Sequence, residues 1–375
     1  MWDTKEINTK KRYVIKRLNN CNDIKEKKIL ELSLISYLYM LDNTANLKNT
    51  KFYYIIDKLL NNKLTIKRDN LVTGIVNNLF FKNEILDNNY LEFLLTICDN
   101  ITDQKCNNES KGLSYININL NNMLKTTLDF FKSLEDKEIL EKAKKIMNDK
   151  SCFNIVNNDL TTASGMKYLG MTIYDYMFNK PYICINSQNN LYDYQTVNHE
   201  IMHGIDFLMN KKTPMNNYYG FHEIPTYTID YLFLEYLISN NFNKEEVEIL
   251  KKNKNDYLRY LAAITKIEIK DKLVRNNIKG YKVENIKEIL TTDLIKQLLE
   301  LESSVISYAL YNQIKLDKEY GINNLKRLIK TNIPQSKTPD FNFIGLDQEE
   351  ILQLSKTMIA DKEYTKCKMR WNIWV

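Results

Sequence analysis

Residues 196–204 read TVNHEIMHG, and this stretch organises the interpretation of the whole chain. His199 and His203 lie four residues apart with Glu200 directly after the first of them, which is the HExxH spacing. On an α-helix, residues four apart share a face, so both imidazoles can reach one ion. The other face of the segment is apolar and carries Val197, Ile201, Ile205 and Leu208. We therefore expect a helix that packs in a core and presents two metal ligands.

The chemistry expected of this pattern is hydrolysis by a metal-bound water. A zinc ion held by imidazoles lowers the pKa of its water to about 7. Glu200 is offset from the metal and can take the proton as the nucleophile forms. The chain contains 3 histidines, and two of them fall in this motif. The sequence therefore predicts one zinc ion per chain, with Glu200 as the general base.

A hydrolytic zinc site needs a third protein ligand and an open fourth position. Six residues after His203, where one class of HExxH enzymes has a histidine, the chain has Met209. Residues 221–226 read FHEIPT, and Pro225 suits the first turn of a helix. Glu223 would then lie at the start of that helix, and we expect it to be the third ligand. Competing carboxylates are Asp206, Asp230 and Glu235.

The remaining histidine, His222, directly precedes Glu223. Adjacent residues of a helix point about 100° apart, so His222 is not expected to share the metal with Glu223. We expect it to face the substrate.

The distribution of helix breakers predicts the fold class. The chain of 375 residues has 9 glycines and 5 prolines, and it is longer than a single core usually holds. Apolar residues recur at helical spacing before residue 150, which predicts an N-terminal helical region over 1–150. Short stretches rich in β-formers follow at 152–156, 166–173 and 181–186, and the helical period then resumes. We expect a mainly α fold with a small β-sheet next to the HExxH helix, and a catalytic region with C-terminal helices over 151–375.

Composition excludes several classes of function. The net charge is +6 with both signs interspersed, and no basic stripe interleaved with aromatics suggests nucleic-acid binding. No apolar run approaches the length of a membrane span, and the charged N-terminus is unlike a signal peptide. The 6 cysteines form no CxxC pair, which is typical of reduced thiols. We expect a cytoplasmic protein without membrane or nucleic-acid partners.

The residues around the motif resemble the oligoendopeptidase F branch of the thimet-oligopeptidase-like zinc peptidases. The likeness is carried by PYICIN at 181–186, by Asp193 and Thr196, by HExxHG at 199–204, and by EIPT at 223–226, which is similar to the third-ligand helix of that family. It is strongest over about 160–235, thin over 300–330, and architectural before 150. The resemblance implies a helical bowl with a deep channel, one zinc ion, and short peptides as substrates.

Two further residues enter through the same resemblance. Tyr308, in SYAL at 307–310, is similar to the C-terminal tyrosine segment that supplies a donor to the oxyanion. Gly165, in SGM at 164–166, matches in position the strand that flanks the bound peptide. The chain departs from the family at Met202, where a glycine is usual, and it has no histidine after His222. These departures affect the expected substrate range more than zinc binding.

Three functions fit these observations. The first is a zinc oligopeptidase that hydrolyses short peptides. The second is a dedicated protease that matures one peptide. The third is a catalytically silent peptide-binding homologue, which the intact Glu200 disfavours because a binding protein does not need a general base.

Overall fold

The computed structural model describes residues 3–45, 86–104, 113–116, 119–157, 169–210, 222–331 and 339–359. Within these ranges the chain forms twelve α-helices and three β-strands. The helices before the sheet are α1 Thr4–Leu18, α2 Ile24–Ala45, α3 Asn88–Thr102, α4 Leu120–Ser133 and α5 Lys137–Asn148. The strands are β1 Phe153–Asn157, β2 Gly170–Asp175 and β3 Lys180–Ser187. The later helices are α6 Tyr192–Met209, α7 Glu223–Ser239, α8 Lys244–Arg275, α9 Val283–Ile289, α10 Thr292–Leu316, α11 Lys318–Lys330 and α12 Gln348–Ser355.

The three strands form one small sheet in the order β1-β3-β2. β1 runs parallel to β3, with Phe153 opposite Ile183, and β2 runs antiparallel to β3, with Ile173 opposite Tyr182. β3 is buried along nearly its whole length, as expected for a central strand. Pro181 is its second residue, where the sequence placed it at the start. The mainly α fold with a small sheet is confirmed.

The HExxH segment lies on α6, which packs against β3, β2, α5 and α7. The apolar face predicted for this helix is buried: Val197, Ile201 and Ile205 are 0% exposed. This face belongs to a hydrophobic cluster that also includes residues of α3, α4 and α5. The core is therefore continuous across residue 150, and the division of the chain at that point stays a prediction.

The sequence places Asp193 where an N-cap would start the HExxH helix, but Asp193 does not cap α6. The helix begins at Tyr192, so Asp193 lies inside the first turn. Its buried carboxylate instead accepts hydrogen bonds from the Ser187 hydroxyl at 2.8 Å and from the backbone N–H groups of Gln188 at 2.8 Å and Asn189 at 2.9 Å. Asp193 thus fixes the tight turn between β3 and α6, which sets where the helix starts relative to the sheet.

Within the ranges described above, no helix is both long enough and apolar enough to cross a lipid bilayer.

The Asp193 bonds generate a stability prediction. In Asp193→Ala, two backbone N–H groups and a hydroxyl lose a buried charged acceptor, so the free energy of unfolding should fall by about 2–4 kcal/mol. Asp3→Ala is the matched control, because Asp3 also accepts from two backbone N–H groups but lies in solvent. That change should cost about 1 kcal/mol. Urea denaturation measures both, and equal losses in the two variants would contradict the role given to Asp193.

Candidate metal centre

The two histidines of α6 project from one face of the helix. Their ring centroids lie 4.9 Å apart in an edge-on arrangement. The His203 side chain is 11% exposed and that of His199 is 18% exposed, so both rings lie mostly inside the protein. The helical spacing therefore places both imidazoles as the sequence predicts.

Helix α7 brings Glu223 to the same point. Its Oε2 lies 3.5 Å from His199 Nε2 and 3.6 Å from His203 Nε2. One ligand atom from each of the three residues lies within 4.8 Å of the others. Two donors bound to one tetrahedral zinc lie about 3.3 Å apart, given zinc–ligand bonds of about 2.0–2.1 Å. The donor set and its spacing therefore fit a zinc ion held by two imidazoles and one carboxylate.

The three competing carboxylates have other partners. Asp206 Oδ2 lies 2.7 Å from Nδ1 of His222. Asp230 Oδ2 lies 3.2 Å from Nδ1 of His199, the nitrogen that faces away from Glu223. Glu235 accepts from the Tyr311 hydroxyl at 2.6 Å and pairs with Lys315. None of the three belongs to the described cluster of candidate ligands.

Asp230 holds His199 from behind. A carboxylate on Nδ1 makes that nitrogen the donor and leaves Nε2 free to bind a cation. Lys254 Nζ lies 3.3 Å from the same Asp230 oxygen and 4.0 Å from the centroid of the Tyr231 ring. Lys254 is itself largely buried, at 11% side-chain exposure. The first ligand therefore rests on a buried carboxylate–ammonium pair. His203 differs, because its Nδ1 is buried without a hydrogen-bond partner among the residues described.

The electrostatics agree with this arrangement. Burial acts to raise the pKa of Glu223, but the charges of His203 and His199 hold it well below its usual range. Burial acts to lower the pKa of His199, but Asp230 and Glu223 raise it well above its usual value. Both shifts favour opposite charges on Glu223 and His199, which is the charge pattern of a carboxylate that attracts a cation.

Glu200 is buried beside these ligands and is 5% exposed. The Thr172 hydroxyl of β2 lies 2.7 Å from its Oε2 and is positioned to donate to it. Gly170, at the start of β2, lies so close that a β-carbon there would come within 2.8 Å of Glu200 Oε1 and Cγ. Burial raises the pKa of Glu200, while the charges of His203 and His199 oppose that rise. A carboxylate fixed in place with a raised pKa is suited to accept a proton.

The sequence predicts a role in the site for three further residues, His222, Tyr308 and Gly165. His222 is held by Asp206, so its Nδ1 ties the start of α7 to α6. The ring of Tyr308 packs 5.4 Å from that of Tyr231 and 5.8 Å from that of Tyr311. Gly165 lies outside the described residues, so its predicted role stays a prediction.

Sequence reasoning missed several residues of the site. Asp230 lies seven residues after Glu223, two turns along the same helix, and that spacing was a usable signal for a supporting role. Tyr227 lies four residues after Glu223 on the same helix, and that spacing was a comparable signal. Its ring lies 5.6 Å from that of His199. Thr172, Gly170 and Lys254 come from elements whose approach to α6 and α7 is decided by packing, and no local pattern marks them.

Comparisons with known proteins find a likeness of the backbone fold to solved structures. No protein-family model matches the sequence, and no curated protein matches it either. Among solved structures, the chain is similar to that of a candidate oligoendopeptidase F from Bacillus anthracis str. Ames, with a TM-score of 0.49, 13% identity, and coverage of 89% of this chain and 63% of that one. It is also similar to PZ peptidase A with an inhibitor, with a TM-score of 0.49, 11% identity, and coverage of 89% and 66%. A further candidate oligoendopeptidase F gives a TM-score of 0.44 at 11% identity, with coverage of 88% and 61%. The chain thus spans less than two thirds of the length of each, and the inference about function depends on the site itself.

The geometry of the centre predicts how metal binding responds to mutation. The purified protein should hold about one equivalent of zinc, and His199→Ala and Glu223→Ala should each lose most of it. Asp230→Asn should weaken zinc affinity by about 10- to 100-fold without abolishing it, because Asp230 supports a ligand from behind. Glu235→Ala is the control and should keep full metal. Metal analysis and competition with a chromogenic chelator measure these effects. Full metal in Glu223→Ala with loss in Asp230→Ala or Glu235→Ala would show that the third ligand is wrong.

Proposed function

We propose that this chain is a zinc-dependent oligopeptidase that hydrolyses short peptides in the cytoplasm, with its catalytic region in residues 151–375. His199, His203 and Glu223 would hold the metal, and Glu200 would be the general base. The observation that carries the proposal is the meeting of two Nε2 atoms and one carboxylate oxygen at 3.5 and 3.6 Å, beside a buried glutamate. A structural helix pair would not need to bury these four groups together.

Zinc, when bound, polarises the scissile carbonyl and lowers the pKa of the attacking water. The protein's own contribution is to hold the proton acceptor. Glu200 is kept in one orientation by the Thr172 hydroxyl and by the close approach of Gly170. It would take a proton from the attacking water and return it to the leaving amine, and its raised pKa makes it a stronger base for the first transfer. Asp230 would keep His199 in the tautomer that leaves Nε2 free for the metal.

The peptide would lie along the sheet edge next to this centre. β2 pairs with β3 on one side, and within the residues described no strand pairs with its other side. An extended peptide can add to such an edge through main-chain hydrogen bonds, which recognise length and shape more than side chains. Gly165 precedes β2 in the sequence and would contact the same peptide. His222, at the start of α7, would face the same peptide.

Removing the general base should separate chemistry from metal binding. Glu200→Gln keeps nearly the same shape, so it should retain zinc and stability while peptide hydrolysis falls by about 10²–10⁴-fold. Glu92→Gln, an exposed glutamate of α3, is the control and should leave the rate unchanged. Steady-state kinetics on a quenched peptide, with metal content measured in parallel, tests this. Near-normal turnover in Glu200→Gln would favour the silent peptide-binding protein.

The donor to the oxyanion is a separate part of the proposal. We assign it to Tyr308, so Tyr308→Phe should lower kcat by about 10²–10³-fold with a smaller change in KM. Tyr227→Phe is the comparison, because Tyr227 is the tyrosine in ring contact with His199. If Tyr308→Phe changes the melting temperature but not kcat, its role is packing against Tyr231 and Tyr311. A loss of kcat in Tyr227→Phe alone would move the donor to that residue.

A further inference from the structure

Glu300 of α10 is an acidic group beside the metal centre that the proposed chemistry does not use. Its Oε1 accepts a hydrogen bond from the Tyr227 hydroxyl at 3.1 Å and another from the Tyr257 hydroxyl at 2.7 Å. The two tyrosines come from α7 and α8, so three helices meet at this carboxylate. Its position is therefore fixed through one oxygen atom.

The second oxygen of Glu300 is unengaged. Within the described ranges no residue donates a hydrogen bond to Oε2, and no lysine or arginine nitrogen lies within 4 Å of the carboxylate. Glu300 as a whole is partly exposed at the protein surface. A carboxylate held by one oxygen and open at the other can accept a charged donor from outside.

The ammonium group of Lys254, which belongs to the same network of contacts, already has a carboxylate partner. Lys254 Nζ lies 4.8 Å from the centroid of the Tyr227 ring, the same ring whose hydroxyl binds Glu300. That ammonium group pairs with Asp230 at 3.3 Å, and Asp230 in turn supports His199. Lys254 is therefore paired with Asp230, and within the described residues it forms no ion pair with Glu300.

Glu300 is also close enough to the centre to meet a substrate there. A single aromatic ring separates it from His199, because the Tyr227 ring lies tilted at 5.6 Å from that imidazole and its hydroxyl donates to Glu300. Burial raises the pKa of Glu300, the Tyr257 hydroxyl lowers it, and the charge of Glu223 raises it again. On the outer side, Tyr257 is 48% exposed and marks the way to solvent.

We propose that Glu300, flanked by Tyr227 and Tyr257, is a specificity site that binds an ammonium or guanidinium group of the peptide substrate. The carboxylate supplies the charge, and the exposed ring of Tyr257 supplies a face that attracts cations. This inference rests on the proposed peptidase function and adds the substrate class, peptides that carry a positive charge near the scissile bond. The charge can come from a lysine or arginine side chain or from a free N-terminus.

The test compares matched peptides on the zinc-loaded protein. In a quenched neutral peptide, a single arginine is moved along the sequence, and each version is paired with citrulline, which keeps the shape and removes the charge. A second pair compares a free with an acetylated N-terminus. At one position, or at the N-terminus, the wild type should favour the charged form in kcat/KM by about 10- to 100-fold. Glu300→Gln should reduce that preference to about 1, mainly through KM, and Glu300→Asp should keep part of it.

Glu235→Gln is the matched control, since Glu235 also accepts from a tyrosine hydroxyl but pairs with Lys315 at the surface. It should retain the full preference. Equal rates for charged and neutral peptides in the wild type would overturn the proposal. A preference that survives in Glu300→Gln would do the same.

A binding measurement separates this inference from the peptidase function. In the Glu200→Gln background with zinc bound, fluorescence anisotropy of labelled peptides should show the same preference for charge, and Glu300→Gln should remove it. Selective binding without hydrolysis in the wild type would refute the peptidase and keep the cation site. Hydrolysis without any charge preference would refute the cation site and keep the peptidase.

Discussion

The carboxylate of Glu223 lies between two imidazoles that belong to another helix, and this convergence sets the requirements for the rest of the site. It needs α6 and α7 to pack side by side, with the start of α7 level with the middle of α6. Burying two imidazoles and several carboxylates costs free energy unless each is paired or neutralised. Their mutual arrangement offsets part of that cost, and a cation bound among them would offset more.

The residues around the candidate ligands provide the pairing that the burial of charged groups requires. Asp230 and Lys254 form a charge pair behind His199, so the charge on that side of the site is balanced inside the protein. Asp206 and His222 form a second pair that joins α6 to the beginning of α7. These contacts are second neighbours of the candidate metal. They fix the orientation of the groups that touch it, which is a larger part of such a site than the ligands alone.

The sheet contributes position more than chemistry. Asp193 fixes the turn that leads from β3 into α6, so the helix starts at a defined place relative to the strands. β2 then lies close enough to the helix for Thr172 to reach Glu200, and the absence of a side chain at Gly170 permits that approach. A small three-stranded sheet in a mainly helical chain thus helps to fix the orientation of one glutamate, Glu200.

The sequence by itself determined the class of fold, the HExxH helix and its buried face, and the place of Glu223 at the start of the next helix. These follow from local rules, because helical spacing and the preference of proline for a first turn act over a few residues. It placed the N-cap of this helix at Asp193, two residues after the observed N-cap Leu191, since the beginning of a helix also depends on what its first turn packs against. The tertiary structure alone decided that Lys254 pairs with Asp230 and that Glu300 meets Tyr227 and Tyr257. Those contacts join residues far apart in the chain. Which helix faces approach each other is set by packing the whole core, and no local pattern records it.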